Sequence, residues 1–179
     1  LRYKHFKVKE TEISSAAIFF VMDISGSMST EKKYIARSFF FLLYQFLRHK
    51  YDNVEVVFIA HTTTAKEVNE ATFFKTRESG GTLISSAYKL CREIIQEDYD
   101  PSEWNIYPFH FSDGDNWSTD DTKLCLDILN NDIIPVSNLF CFGQVDSRYG
   151  SGQFFKDLRT KFPDGNDEFV LSKIKIINV

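Results

Sequence analysis

The sequence predicts an α/β fold: a doubly wound, mostly parallel sheet with helices on both faces and one short antiparallel edge strand. Three observations carry this expectation. Apolar runs without alternation, such as Ala16-Ala17-Ile18-Phe19-Phe20-Val21-Met22, have the pattern of strands buried on both faces. Stretches with apolar residues three and four apart follow those runs, as helices would. Polar, glycine-bearing segments separate the two kinds, and strand and helix alternate along the chain, which calls for parallel strands joined by right-handed crossovers.

In chain order, the first strand is the run 16–22. A helix over 31–49 follows, with Ile35, Phe39, Leu42 and Phe46 on one face and Ser29 and Thr30 as candidate caps. Residues 54–60 form a second strand, and 63–69 turn back as a short edge strand. Gly80-Gly81-Thr82 then leads into a helix over 83–96 that buries Leu83, Ala87, Leu90 and Ile94, with Pro101 marking the break beyond it. A strand over 105–111 ends in the polar loop Ser112-Asp113-Gly114-Asp115-Asn116. Next comes a helix over 119–131, with Ser118 and Asp121 spaced as a capping box. Strand 138–143, a short helix over 153–159 and a last strand over 168–171 complete the reading. No internal repeat or low-complexity stretch interrupts it.

Composition sets the limits. With 179 residues, 43% hydrophobic and 26% charged, the chain has the size and balance of one globular domain spanning residues 1–179, with no linker required. It opens on Leu1 and stops at Val179 within an apolar pattern, which suggests a domain of a longer protein. The formal charge of −4 and the lack of a Lys/Arg cluster exclude the footprint of a nucleic-acid binder. The mildly basic opening, with Arg2, Lys4, Lys7 and Lys9, reads as solvated surface. Three cysteines without a C-x-x-C spacing argue against a disulfide framework or structural zinc and for core thiols in a reducing, cytoplasmic setting. The longest apolar stretch, 39–47, is too short to span a bilayer. Eighteen phenylalanines predict a core thick with rings and an exposed apolar patch kept for a partner.

The most informative segment is Asp23-Ile24-Ser25-Gly26-Ser27, at the carboxyl end of the first strand, where open α/β sheets place ligand sites. One carboxylate and two hydroxyls form a hard-oxygen cluster suited to a small divalent cation such as Mg²⁺. Taken alone, such a segment is also a common helix entry, with Ser and Asp serving as caps. Two further loops, carrying Thr82 and Asp113, fall on the same expected rim. Together, Asp23, Ser25, Ser27, Thr82 and Asp113 offer three hydroxyls and two carboxylates. Thr82 also suits an N-cap, Ser85 and Ser86 suit helix packing, and His61 and His110 suit the core better than a ligand role. The Phe39-Phe40-Phe41 run reads as core packing. Trp104 is ambiguous, and Trp117, just past the acidic loop, is a possible contact residue.

D-x-S-x-S, then a Thr before a helix, then an Asp at a later strand end, resembles the metal ion-dependent adhesion site of von Willebrand factor A domains, a Rossmann-like fold. More narrowly, Asp23-Ile24-Ser25-Gly26-Ser27-Met28, Gly80-Gly81-Thr82 with Ser85-Ser86-Ala87, and Ser112-Asp113-Gly114-Asp115-Asn116 are similar to the bacterial YeaH/YhbH stress and sporulation family. The resemblance implies a Mg²⁺ or Mn²⁺ ion bound directly by Ser25 and Ser27, and by Thr82 directly or through water. Asp23 and Asp113 would act through bridging waters, leaving one position for an acidic side chain of a partner. It further implies a cytoplasmic bacterial protein with a PrkA-type serine kinase or a SpoVR-like protein as partner.

Three functions compete. The first is a non-enzymatic, cation-dependent protein-binding module that captures an Asp or Glu. The second is a metal-dependent phosphatase with Asp23 as nucleophile. That chemistry uses D-x-D-x-T, whose second acid protonates the leaving group, and Ser25 stands in its place. The third is a scaffold with a vacant site. The complete ligand set favours the first, and no nucleophile elbow, phosphate-binding loop with Lys, or dinucleotide fingerprint appears.

Overall fold

The structure, a computed structural model, describes residues 14–76, 80–145, 152–163 and 174–178. Six strands form one sheet in the order β3-β2-β1-β4-β5-β6. They are β1 (Ser15–Asp23), β2 (Asn53–His61), β3 (Ala65–Glu67), β4 (Asn105–Ser112), β5 (Phe140–Gln144) and β6 (Ile174–Asn178). All neighbours pair parallel except β2 and β3, so the expected antiparallel edge strand is present. Pro108, which has no N–H to donate, falls one residue before the β5 ladder begins at Phe109.

The helices are α1 (Thr30–Lys50), α2 (Glu70–Lys75), α3 (Ile84–Asp98), α4 (Thr119–Ile128) and α5 (Gln153–Lys161). Strand β1 explains the two-sided covering. Alternate residues Ala17, Phe19 and Val21 join a core with α3, α4 and α5, while Ile18, Phe20 and Met22 join a second core with α1 and α2. A strand buried at almost every position therefore reads as a continuous apolar run.

Several local expectations are corrected. Helix α1 turns Lys33, Ala36, Phe40 and Leu47 inward. The expected face is displaced: Phe39 is only half-buried, and Leu42 and Phe46 are 68% and 63% exposed. Phe41 is exposed as well, so the Phe39-Phe40-Phe41 run is core packing chiefly at Phe40. The reason is that α1 is apolar on more than one side, so spacing alone cannot choose the buried one. Helix α2, which seats Phe73 in the core, was not foreseen. The expected helix 119–131 is α at Thr119–Ile128 and then widens into a π turn over Leu129–Ile133. The expected strand at 168–171 and the basic opening segment lie outside the described residues, and β6 lies further along than the sequence reading placed a last strand. Cys91, Cys125 and Cys141 are buried, and none of them forms a disulfide among the described residues. No helix among the described residues is long and apolar enough to cross a membrane.

Candidate metal centre

Parallel strands bring their carboxyl ends to one rim. Strand order runs outward from β1 through β2 on one side and through β4 on the other, so the crevice between β1 and β4 is the topological switch point. Asp23 ends β1 and Asp113 directly follows β4. The Thr82 loop reaches the same place because it is stitched to its neighbours. Leu83 N–H donates to the Thr62 carbonyl at 2.9 Å, and Trp117 N–H donates to the Thr82 carbonyl at 2.9 Å.

The five sequence-predicted residues form one connected cluster. Asp23 Oδ1 accepts from the Ser25 N–H at 2.8 Å, an Asx-type turn that folds the loop over its own carboxylate. The Ser25 and Ser27 hydroxyl oxygens lie 3.2 Å apart. The Thr82 hydroxyl donates to Asp23 Oδ2 over a long 3.5 Å, and the Ser27 hydroxyl is near enough to the Asp113 carboxylate to favour its charged form. Asp23, Ser25, Thr82 and Asp113 are buried, whereas Ser27 is exposed at the mouth. Thr82 does not cap α3: the N-cap position is Leu83, without a side-chain cap bond. Its hydroxyl is thus turned to the cluster.

Burial pushes the Asp113 carboxyl above its ordinary range, and nearby Asp23 adds to this. The Ser27 hydroxyl and the Lys32 ammonium pull the other way. Asp113 Oδ2 is buried with no hydrogen bond, an uncommon state for a carboxylate oxygen. A hard cation would satisfy it, and every donor in the cluster is oxygen, so the residues fit Mg²⁺ or Mn²⁺. Among the described residues no group of three or more His, Cys, Asp or Glu could hold a metal. A cation here would depend on the hydroxyls for its remaining protein ligands.

Glycine matters at two points of this rim. Gly114 adopts φ +78°, a left-handed turn that side-chain-bearing residues rarely take. A Cβ on Gly81 would collide with the Trp117 ring, so the indole lies directly over that backbone. Trp117 is itself 68% exposed beside the cluster, while Trp104 packs edge-on against Tyr99.

Sequence reasoning missed several participants. Ser112 donates its hydroxyl to Asp23 Oδ2 at 3.0 Å and accepts from Gly114 N–H at 3.1 Å, joining the β1 and β4 ends directly. Its place just before Asp113 was the available signal. Ser118 caps α4 as expected, accepting from Asp121 N–H at 3.1 Å. The Asp121 carboxylate, however, serves α3, accepting from both the N–H and the hydroxyl of Ser85. Asn116 Oδ1 likewise accepts from Ile84 N–H at 3.2 Å. Thus the acidic loop and α4 supply the N-terminal caps that α3 lacks in its own sequence.

Beneath the cluster, His61 Nε2 lies 2.9 Å from His110 Nε2, and His110 Nδ1 lies 2.9 Å from the Tyr88 hydroxyl. Burial lowers both imidazoles below their ordinary 6.5; Asp23 partly opposes this at His61, and His61 reinforces it at His110. Both are core histidines, as the sequence suggested, although His61 Nδ1 has no hydrogen-bond partner.

Comparison with known proteins agrees with this architecture. A family profile described as "Protein of unknown function (DUF444)" matches residues 1–177. A UPF0229 protein of Ruminiclostridium cellulolyticum is 56% identical over 149 residues, covering 83% of this chain and 37% of that protein. One from Sodalis glossinidius is 44% identical over 177 residues, covering 98% of this chain and 40% of its own length. The chain therefore spans about two fifths of these curated relatives. Among solved structures, a manganese-loaded Plasmodium vivax TRAP protein superposes with TM-score 0.61 at 12% identity, over 92% of this chain and 69% of that one. An aerotolerance-related membrane protein from Bacteroides fragilis gives 0.58 at 12% identity, over 92% and 91%. These likenesses show the fold, which is von Willebrand factor A-like.

Proposed function

The chain belongs to the DUF444 family of proteins of unknown function, and from its geometry we propose that the rim cluster is a metal ion-dependent adhesion site. It binds Mg²⁺ or Mn²⁺ and, through the ion, captures an Asp or Glu of a partner protein. The observation that carries this reading is the meeting of three distant loops at Asp23, together with Asp113 Oδ2, a buried acceptor of the same rim without a hydrogen bond. Ser25 and Ser27 would contact the ion through their hydroxyls, Thr82 directly or through water, and Asp23 and Asp113 through bridging waters. With neutral oxygens nearest to it, the ion keeps much of its charge and attracts an external carboxylate. The manganese in the TRAP protein of similar fold supports the choice of ion.

The finer placement, in the YeaH/YhbH group of bacterial stress and sporulation proteins, rests on the Ser112-Asp113-Gly114-Asp115-Asn116 loop. A PrkA-type kinase and a SpoVR-like protein are the first partners to test. The phosphatase alternative gains little support. Asp23 is fully buried, and its two oxygens accept hydrogen bonds from Ser25, Ser112 and Thr82, which leaves a poor nucleophile.

Thermal melts test the reading. A ligand that binds only the native state raises stability by about 2.7 kcal/mol at a hundredfold excess over its Kd. Mg²⁺ or Mn²⁺ should raise the Tm of the wild type and leave that of the Ser25→Ala/Ser27→Ala variant unmoved. An undiminished rise in the variant overturns the assignment.

A further inference from the structure

Two neighbouring lysines on the first turn of α1 have different surroundings. Lys33 Nζ donates to the Thr76 carbonyl, away from the rim cluster. Lys32 Nζ donates to the Ser27 carbonyl at 3.0 Å and stands 3.6 Å from Asp113 Oδ2. Its side chain is only 14% exposed and the Asp113 side chain not at all. The ammonium thus sits at the buried oxygen that has no hydrogen bond, close enough for charge and too far for a direct bond.

We propose that Lys32 is a built-in counter-cation of this site, which neutralises Asp113 when no divalent ion is present and gives way when one binds. The inference rests on the cation-binding reading above. Two carboxylates, Asp23 and Asp113, share the cluster, and unpaired charges in a poorly solvated site are costly. One ammonium offsets part of that cost and keeps the loops assembled without metal. The same charge repels an incoming ion. Its departure breaks one hydrogen bond, to a neutral carbonyl, and gives up the ion pair with Asp113, which the charge of the incoming cation replaces; its flexible four-carbon stem lets the ammonium swing away. Lys32 therefore sets how tightly the site takes a divalent cation.

Calorimetric titration of Lys32→Met with Mn²⁺ and Mg²⁺, alongside melts with and without chelator, tests this. The dissociation constant should fall at least about tenfold, the chelated Tm should drop, and saturating cation should erase that drop. Lys32→Gln, which deletes the charge but can still donate to the Ser27 carbonyl, should tighten binding likewise, and Lys32→Arg should not. Equal or weaker binding in Lys32→Met and Lys32→Gln overturns the counter-cation while the adhesion-site reading stands. A wild type that binds neither ion removes both.

Discussion

Helix α3 turns Ala87, Tyr88, Cys91, Ile94 and Ile95 into the core and leaves its polar side to water. Helix α1, on the other side of the sheet, is longer and buries less of what it carries: Tyr34, Phe41, Leu42 and Phe46 are all more than 60% exposed. Both helices start at the rim cluster, one after Ser29 and the other after Leu83, the residue that follows Thr82. Their ends are fixed differently. Asp121 and Asn116, from separate segments, cap the start of α3, whereas α1 is capped locally by Ser29, which accepts from Lys32 N–H at 3.3 Å. The comparison separates a wall from a face. Helix α3 holds Thr82 in place through packing and a buried polar network. Helix α1 supplies Lys32 to the site and presents an apolar surface of the kind that marks interaction sites.

The largest expected effect falls on the packed side of α1. Phe40 stacks on Phe20 with ring centroids 4.0 Å apart and is fully buried. Phe40→Ala should cost about 3–5 kcal/mol in denaturant unfolding; a loss near that of an exposed residue would erase the contrast between the two faces of α1.

An intermediate effect belongs to α3. Through Tyr88, this helix is bonded to His110, whose imidazole burial holds well below 6.5. A depressed folded value favours the neutral form, so its stabilising contribution is complete above about 6.5 and is lost as pH falls from there toward the folded value. One proton taken up on unfolding gives a slope of at most about 1.4 kcal/mol per pH unit. Asp113, whose carboxyl is raised, contributes in the opposite direction, losing stability as pH rises through its folded value. The comparison is therefore made in Asp113→Asn protein. Between pH 7 and 5 its stability should decline, and less steeply once His110→Gln is added. Parallel curves would remove the imidazole from the account.

The smallest effect is expected on the open face of α1. Leu42→Gln and Phe46→Gln should each change stability by no more than about 0.5 kcal/mol, read from the same unfolding curves. A loss of 2 kcal/mol or more, by this surface rule, would mean that the face is packed in solution and that α1 resembles α3 after all.

Much of the fold was legible because its signals are local. A run such as 16–22, apolar at every position, must be covered on both faces, and apolar residues three and four apart between such runs require helices. The edge strand Ala65–Glu67 falls within the expected 63–69, and the helix starts after Ser29 and Ser118 follow from cap chemistry. The five cluster residues were legible for a related reason. Parallel strands place all their carboxyl ends on one rim, so an oxygen-rich loop after each strand is enough to expect convergence.

Other features had no local signal. Which side of α1 faces the sheet was undetermined, since apolar residues lie on more than one of its sides, and contact with Phe20 and Phe111 made the choice at Phe40. No spacing rule connects Asp121 with Ser85, or Lys32 with Asp113, because these pairs are distant in sequence and meet only once the sheet has been assembled. By itself, then, the sequence determined the elements, their order and the rim where the oxygens gather, because periodicity and turn chemistry act over a few residues. Tertiary structure alone decided which faces are buried, which charges meet and which oxygen goes without a hydrogen bond, because those depend on packing between segments that the chain keeps far apart.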